Sequence, residues 1–135
     1  MAKKIEDIEG VGPSNGAKLR AAGCRSVGQL LDMGCTKKGR AHIAAKTGLS
    51  EGRILKWVNH ADLFRVKGIA SQYAELLECA GVDTVKELRN RNVENLAAKM
   101  VEINNAKRLV RNVPSAKVVA GWIAQAKILD PKVTH

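Results

Sequence analysis

Apolar residues recur along the chain at three- and four-residue spacing, in short runs broken by glycine, proline or a hydroxyl residue. That pattern predicts short amphipathic helices joined by tight turns. Ile5 and Ile8 share one face of a first short helix, which Gly10-Val11-Gly12 ends. Pro13 suits the first turn of the next helix, because its missing N–H has no intrahelical partner there. That helix should run to about Ala22, with Gly23 as its left-handed cap. Ser26 and Gln29 read as a capping box for a third helix that buries Val27, Leu30 and Leu31, and Gly34 closes it. Thr36 caps a fourth helix, Lys37 to Lys46, with Ala41, Ile43 and Ala44 facing inward and Lys37, Lys38 and Arg40 facing out. Thr47-Gly48-Leu49-Ser50 is a second tight turn, before a helix with Ile54, Leu55, Val58 and Ala61 on one stripe.

At Asp62 the pattern restarts. Gly68, Ile69, Leu77, Gly81, Val85 and Leu88 stand 58 residues after Gly10, Val11, Leu19, Gly23, Val27 and Leu30. Thr84 and Glu87 replace Ser26 and Gln29, so the capping box recurs as well. Further on, Trp122 stands 65 residues after Trp57, which leaves seven extra residues between Arg89 and Asn112. A repeat that extends to cap chemistry indicates an internal duplication. The expected fold is all-α, two tandem five-helix domains at 1–61 and 62–135, the second with a longer middle segment. The tail after Leu129, with Pro131, is expected to be frayed or loosely packed.

Charge narrows the partner. The chain carries a formal net charge of +10 and a pI near 9.9, so a polyanion is the first partner to consider and nucleic acid the first polyanion. The excess is spread over both halves, +6 in residues 1–60 and +4 in 61–135. Aromatics make up only 3%, which leaves the cores to aliphatic side chains. Trp57 and Trp122 sit at equivalent positions on apolar stripes and are expected to be core residues, not base-stacking platforms. Cys24, Cys35 and Cys79 form neither a disulfide framework nor a zinc pattern, and His42, His60 and His135 have no partner at ligand spacing. No metal or cofactor is therefore expected, and no transmembrane run or signal segment is read; the expected location is cytoplasmic. Gly10-Val11-Gly12 is not a nucleotide-binding loop, since no strand precedes it and no Gly-Lys-Ser/Thr follows. Asp32 or Lys18 could be nominated as a glycosylase-like catalytic residue, but no base–nucleophile set surrounds either, and no catalysis is expected.

The stretch from Ile8-Glu9-Gly10-Val11-Gly12-Pro13 through Leu19-Arg20-Ala21-Ala22-Gly23 to Thr47-Gly48-Leu49-Ser50-Glu51-Gly52-Arg53-Ile54-Leu55 resembles the tandem helix-hairpin-helix domain found at the N-terminus of recombinases. The duplicated chain as a whole is similar to an uncharacterised bacterial family of small proteins that carry a domain of unknown function. The first resemblance implies that backbone N–H groups of each hairpin meet phosphates without reading sequence. Carried over by position, the implied contacts are Gly10, Val11, Gly12 and Ser14, with Lys18 following, and then Gly48, Ser50, Gly52 and Arg53. In the second half they are Gly68, Ala70 and Ser71, flanked by Arg65 and Lys67, and finally Ser115.

The four turns depart from the motif to different degrees. Hairpin two reads Gly-Leu-Ser, hairpin three Gly-Ile-Ala, and hairpin four Val113-Pro114-Ser115 with no glycine, which makes a purely structural role the expectation there. Hairpin one has Glu6, Asp7 and Glu9 beside it, which repel phosphate. The clusters Lys37-Lys38-Arg40 and Lys107-Arg108-Arg111 read first as solvated helix faces. The expected function is sequence-independent nucleic-acid binding, DNA foremost. The alternative is a protein–protein interaction module in a repair or transcription assembly.

Overall fold

The computed structural model describes residues 4–135; residues 1–3 of the expected first domain lie outside that range. Among the described residues the chain is all helical, a 3-10 turn at Ile5–Asp7 followed by eight α-helices, with no strand. It divides into two compact units, Met1–Asp62 with Lys132–His135, and Leu63–Pro131.

The first unit holds α1 (Gly12–Ala21), α2 (Val27–Gly34), α3 (Lys37–Thr47) and most of α4 (Glu51–Leu63). Each helix end has a local cause. Gly23, with φ 99°, lets its own N–H reach Arg20 O at 3.0 Å and the Cys24 N–H reach Leu19 O at 2.8 Å, which satisfies the last carbonyls of α1. Ser26 Oγ accepts from Gln29 N at 3.2 Å, while Gln29 Oε1 reaches back to Arg25 N at 2.8 Å, one residue earlier than in a standard capping box. Thr36 Oγ1 accepts from Gly39 N at 3.0 Å, and Gly48 closes α3 in the left-handed region. Leu19, Leu30, Ile43, Ile54 and Val58 are fully buried, each contributing about 1.5–3 kcal/mol by leaving water. α1 packs on the 3-10 turn and on α3, and α2 packs on α3.

Two features of this unit differ from what the apolar pattern predicts. Arg40 faces inward and is 4% exposed, whereas Ala41 faces solvent. The guanidinium replaces an apolar side chain because its fork has carbonyls to meet: Nη1 donates to Gly34 O at 2.9 Å and Nη2 to Thr134 O at 2.6 Å. Gly34 is the last residue of α2, so Arg40 caps that helix's exposed carbonyl end, where a cation is also favoured by the helix dipole. The tail is the second difference. Residues 132–135, expected to be loose and assigned by sequence to the second domain, are docked on the first unit. Thr134 N donates to Cys35 O at 2.8 Å, Val133 is 7% exposed, and Lys132 pairs with Asp32.

The second unit holds α5 (Ser71–Cys79), α6 (Val85–Leu88), α7 (Val93–Lys107) and α8 (Ala116–Ile128). Gly81, with φ 91°, ends α5 through Gly81 N to Glu78 O at 3.0 Å and Val82 N to Leu77 O at 2.8 Å, the same two bonds that end α1. Thr84 Oγ1 caps α6 through Glu87 N at 3.3 Å, and Asn92 Oδ1 caps α7 through Asn95 N at 3.0 Å. α7 has 15 residues where α3 has 11, and α6 is a single turn of 4 where α2 has 8. Leu63, Leu76, Leu77, Leu88, Met100 and Trp122 belong to one buried cluster, on which α5, α7 and α8 converge.

Candidate nucleic-acid interface

Two turns carry the glycines that the sequence singles out. Gly10 has φ 87° and Gly68 φ 97°, a region that costs a side-chain-bearing residue roughly 1–2 kcal/mol. Behind each lies a tryptophan. A Cβ on Gly10 would stand 3.8 Å from Trp57 Nε1, and one on Gly68 only 3.0 Å from Trp122 Nε1. Both indoles are 3% exposed, so they floor the turns and offer no ring to a base. The apolar residue after each glycine is spent on the fold. Val11 and Ile69 are 2% exposed, and their N–H groups donate to Ile8 O and Val66 O, both at 3.2 Å. Gly10, Gly12, Ser14 and Lys18 are exposed around the first turn, and Lys67, Gly68 and Ala70 around the third, with Ser71 and Arg65 half-buried.

The helix starts divide into two groups. In α2, α3, α4, α6, α7 and α8 an oxygen of Ser26, Thr36, Ser50, Thr84, Asn92 or Ser115 accepts from the N–H three residues on, at 3.0–3.3 Å. In α1 and α5 no side chain does so: their N-cap positions are Val11 and Ala70, which have no acceptor. The starts of these two helices therefore lack the N-cap side chain that closes the others, and both stand beside a glycine turn; in α1, Pro13 also removes one first-turn donor. Such a helix start attracts anions, because the unpaired donors and the dipole point the same way.

Electrostatics differ at the two starts. Beside α1, Glu6 lies across Gly16 and takes two hydrogen bonds from the Arg20 guanidinium. Those bonds hold the Glu6 carboxyl below its ordinary value and raise Arg20 above its own. Asp7 accepts from Lys4 N at 2.9 Å. Of the acidic residues flanking the first turn, Glu6 is thus paired with a basic side chain and Asp7 with a backbone N–H, and Lys18 projects into solvent one helical turn beyond Ser14. Beside α5, the backbone of Lys67 is clamped by Gln125, whose Oε1 accepts from Lys67 N at 2.8 Å and whose Nε2 donates to Lys67 O at 3.2 Å. The Lys67 ammonium remains in solvent, and Arg65 Nη2 donates to Asp130 O at 2.8 Å.

The other two turns are built differently. Gly48 is the left-handed cap of α3, Ser50 closes the start of α4, and the Arg53 guanidinium lies 5.2 Å from the Trp57 ring centre. Gly52 is exposed with open space where a Cβ would stand. In the fourth turn Pro114 is buried and Ser115 closes α8. Cys24, Cys35 and Cys79 are free thiols, and burial pushes the Cys24 thiol up. Among the described residues no group of three or more His, Cys, Asp or Glu is placed to hold a metal ion, and no helix is long and apolar enough to cross a membrane.

The absence of a capping residue at Val11 and Ala70 is legible in the sequence once the helix starts are known. The Glu6–Arg20 pair and the Gln125 clamp are not, since they join residues 14 and 58 positions apart. No solved structure matches the chain. Residues 9–129, nearly its whole length, match the family described as Domain of unknown function (DUF4332), and the protein belongs to that family.

Proposed function

We propose that each unit is a helix-hairpin-helix pair, that the two arose by duplication, and that the protein binds nucleic acid, DNA foremost, by its phosphate backbone without reading sequence. The observation that carries this reading is the pair of helix starts without a side-chain cap, α1 and α5, each next to a positive-φ glycine turn, where the other six α-helices among the described residues each have one. Phosphate is the acceptor best suited to such a helix start in a protein of net charge +10. Support for the duplication comes from the ends of α1 and α5, which use the same hydrogen bonds 58 residues apart.

The contact set is narrower than the hairpin motif alone implies. It comprises Gly10, Gly12 and Ser14 with Lys18, and Gly68, Ala70 and Ser71 with Lys67. Val11 drops out because its N–H is already donated, and Ser50 and Ser115 each take one first-turn donor at the other two hairpins, which makes those starts poorer anion sites.

The test is fluorescence anisotropy of a labelled duplex across a salt series. Binding should weaken steeply with salt, with dissociation constants of order micromolar at physiological ionic strength. No salt-sensitive binding at low ionic strength would overturn the reading and leave a protein partner as the alternative.

A further inference from the structure

Hairpin four has a side-chain cap, Ser115, at the start of α8, yet the longest stretch of the chain without an acidic residue runs through it. From Ile103 to Leu129 there is no acidic residue, while Lys107, Arg108, Arg111, Lys117 and Lys127 are all basic and all exposed. Among the described residues no ion pair or hydrogen bond of the Lys107, Arg108 or Arg111 side chain is found.

This loop is braced. Asn104 grips Val110 from both sides, Nδ2 donating to Val110 O and Oδ1 accepting from Val110 N, both at 3.0 Å. Arg108 N donates to Asn104 O at 2.8 Å, and Val110 is buried. The backbone at Arg108 is left-handed, φ 51° and ψ 49°, the one non-glycine residue in that region among those described. The corresponding cap of α3 is Gly48. A cap alone would be better served by glycine or asparagine. Packing does not explain the arginine either, because its side chain is in solvent.

The loop also lies beside the uncapped start of α5. The Tyr73 hydroxyl, in the first turn of that helix, donates to Asn112 O at 3.1 Å, and the Tyr73 ring rests against Trp122 with centres 5.4 Å apart. One tyrosine side chain therefore spans from the α5 start to the basic loop. The second helix of hairpin three carries no cation of its own, only Glu75 and Glu78, so the cations nearest its start in this unit come from other elements, the loop among them.

We infer that Lys107, Arg108 and Arg111 form a preorganised arm that grips the phosphate backbone of duplex nucleic acid next to the α5 start, so that the second unit holds its ligand by backbone donors on one side and cationic side chains on the other. This rests on the nucleic-acid reading above. Each cation that neutralises a phosphate adds about 0.9 to the slope of log affinity against log salt.

The test compares the full chain with the variant Lys107→Gln/Arg108→Gly/Arg111→Gln on a labelled duplex across a KCl series. A control variant of equal charge change, Lys46→Gln/Lys86→Gln/Lys99→Gln, removes exposed cations elsewhere. The arm variant should lose roughly two to three from the salt slope and bind at least tenfold more weakly at 150 mM salt, with the control losing much less. Arg108→Gly alone relieves the left-handed residue, so its thermal midpoint should rise while its binding falls, which separates lost contact from lost fold. Equal losses in arm and control variants, or an arm variant with wild-type slope, overturn the arm and leave the hairpin reading standing. If the full chain itself shows no salt-sensitive binding, the hairpin reading fails and the arm falls with it.

Discussion

Ala70→Asp separates stability from binding in one substitution. Ala70 is the N-cap of α5, with extended backbone at φ −107° and ψ −177°, exposed, and with no side-chain acceptor for the first turn. An aspartate there can accept from the N–H of the following turn, as Thr84 and Ser115 do for α6 and α8 at 3.3 Å. Introducing an N-cap contributes about 0.5–2 kcal/mol, and a carboxylate at a helix start about 0.3–1 kcal/mol more. A gain of about 1 kcal/mol raises the thermal midpoint by roughly 2–8 °C for domains of this size range. The same carboxylate fills the donors proposed for phosphate and adds a repelling charge. Losing one charge-assisted hydrogen bond costs about 1.5–3 kcal/mol, roughly 10- to 150-fold in dissociation constant. Calorimetry and duplex anisotropy on the same preparation should therefore move in opposite directions. Ala70→Ser, which caps without charge, should fall between the two. A stabilised Ala70→Asp that binds duplex like the wild type would refute the assignment of α5, and an unchanged midpoint would refute the cap geometry.

Other perturbations follow from single contacts. Gly10→Ala and Gly68→Ala should each cost about 1–2 kcal/mol for the left-handed backbone, with Gly68 the more damaging because its Cβ would meet the Trp122 indole at 3.0 Å against 3.8 Å for Gly10 and Trp57; urea denaturation ranks them. Arg40→Met strips the hydrogen bonds from Gly34 O and Thr134 O and should cost about 2–4 kcal/mol, with faster hydrogen exchange at the Thr134 amide. The Arg20 hydrogen bonds hold Glu6 below its ordinary value of 4.5, so the contribution of this pair is present above that value and is lost as pH falls through the lowered folded value. Glu6→Gln should remove that part of the acid dependence, and a carboxyl titration by NMR that finds Glu6 at its ordinary value would count against the pair.

Much of the local structure was readable because it is made by neighbours. The caps at Ser26, Thr36 and Thr84 join residues three apart, and the glycine ends at Gly23 and Gly81 close bonds within six residues, so residue type and spacing suffice to find them. The burial of Trp57 and Trp122 followed from apolar stripes of helical period. The same reasoning misplaced Arg40, because a helical wheel assigns arginine to solvent and has no means of knowing that two carbonyls wait inside.

What the sequence by itself determined is helix, turn and the caps at Ser26, Thr36 and Thr84, while the missing caps at Val11 and Ala70 became readable once the helix starts were in place. Only the tertiary structure decided which groups far apart in the chain meet. Arg40 reaches a tail residue 94 positions away, Lys132 reaches Asp32 across 100, and Tyr73 meets Asn112 across 39. Hydrogen bonds between distant residues depend on where the packed helices bring carbonyls and cations together. That is a property of the assembled core, and no period or spacing in the chain encodes it.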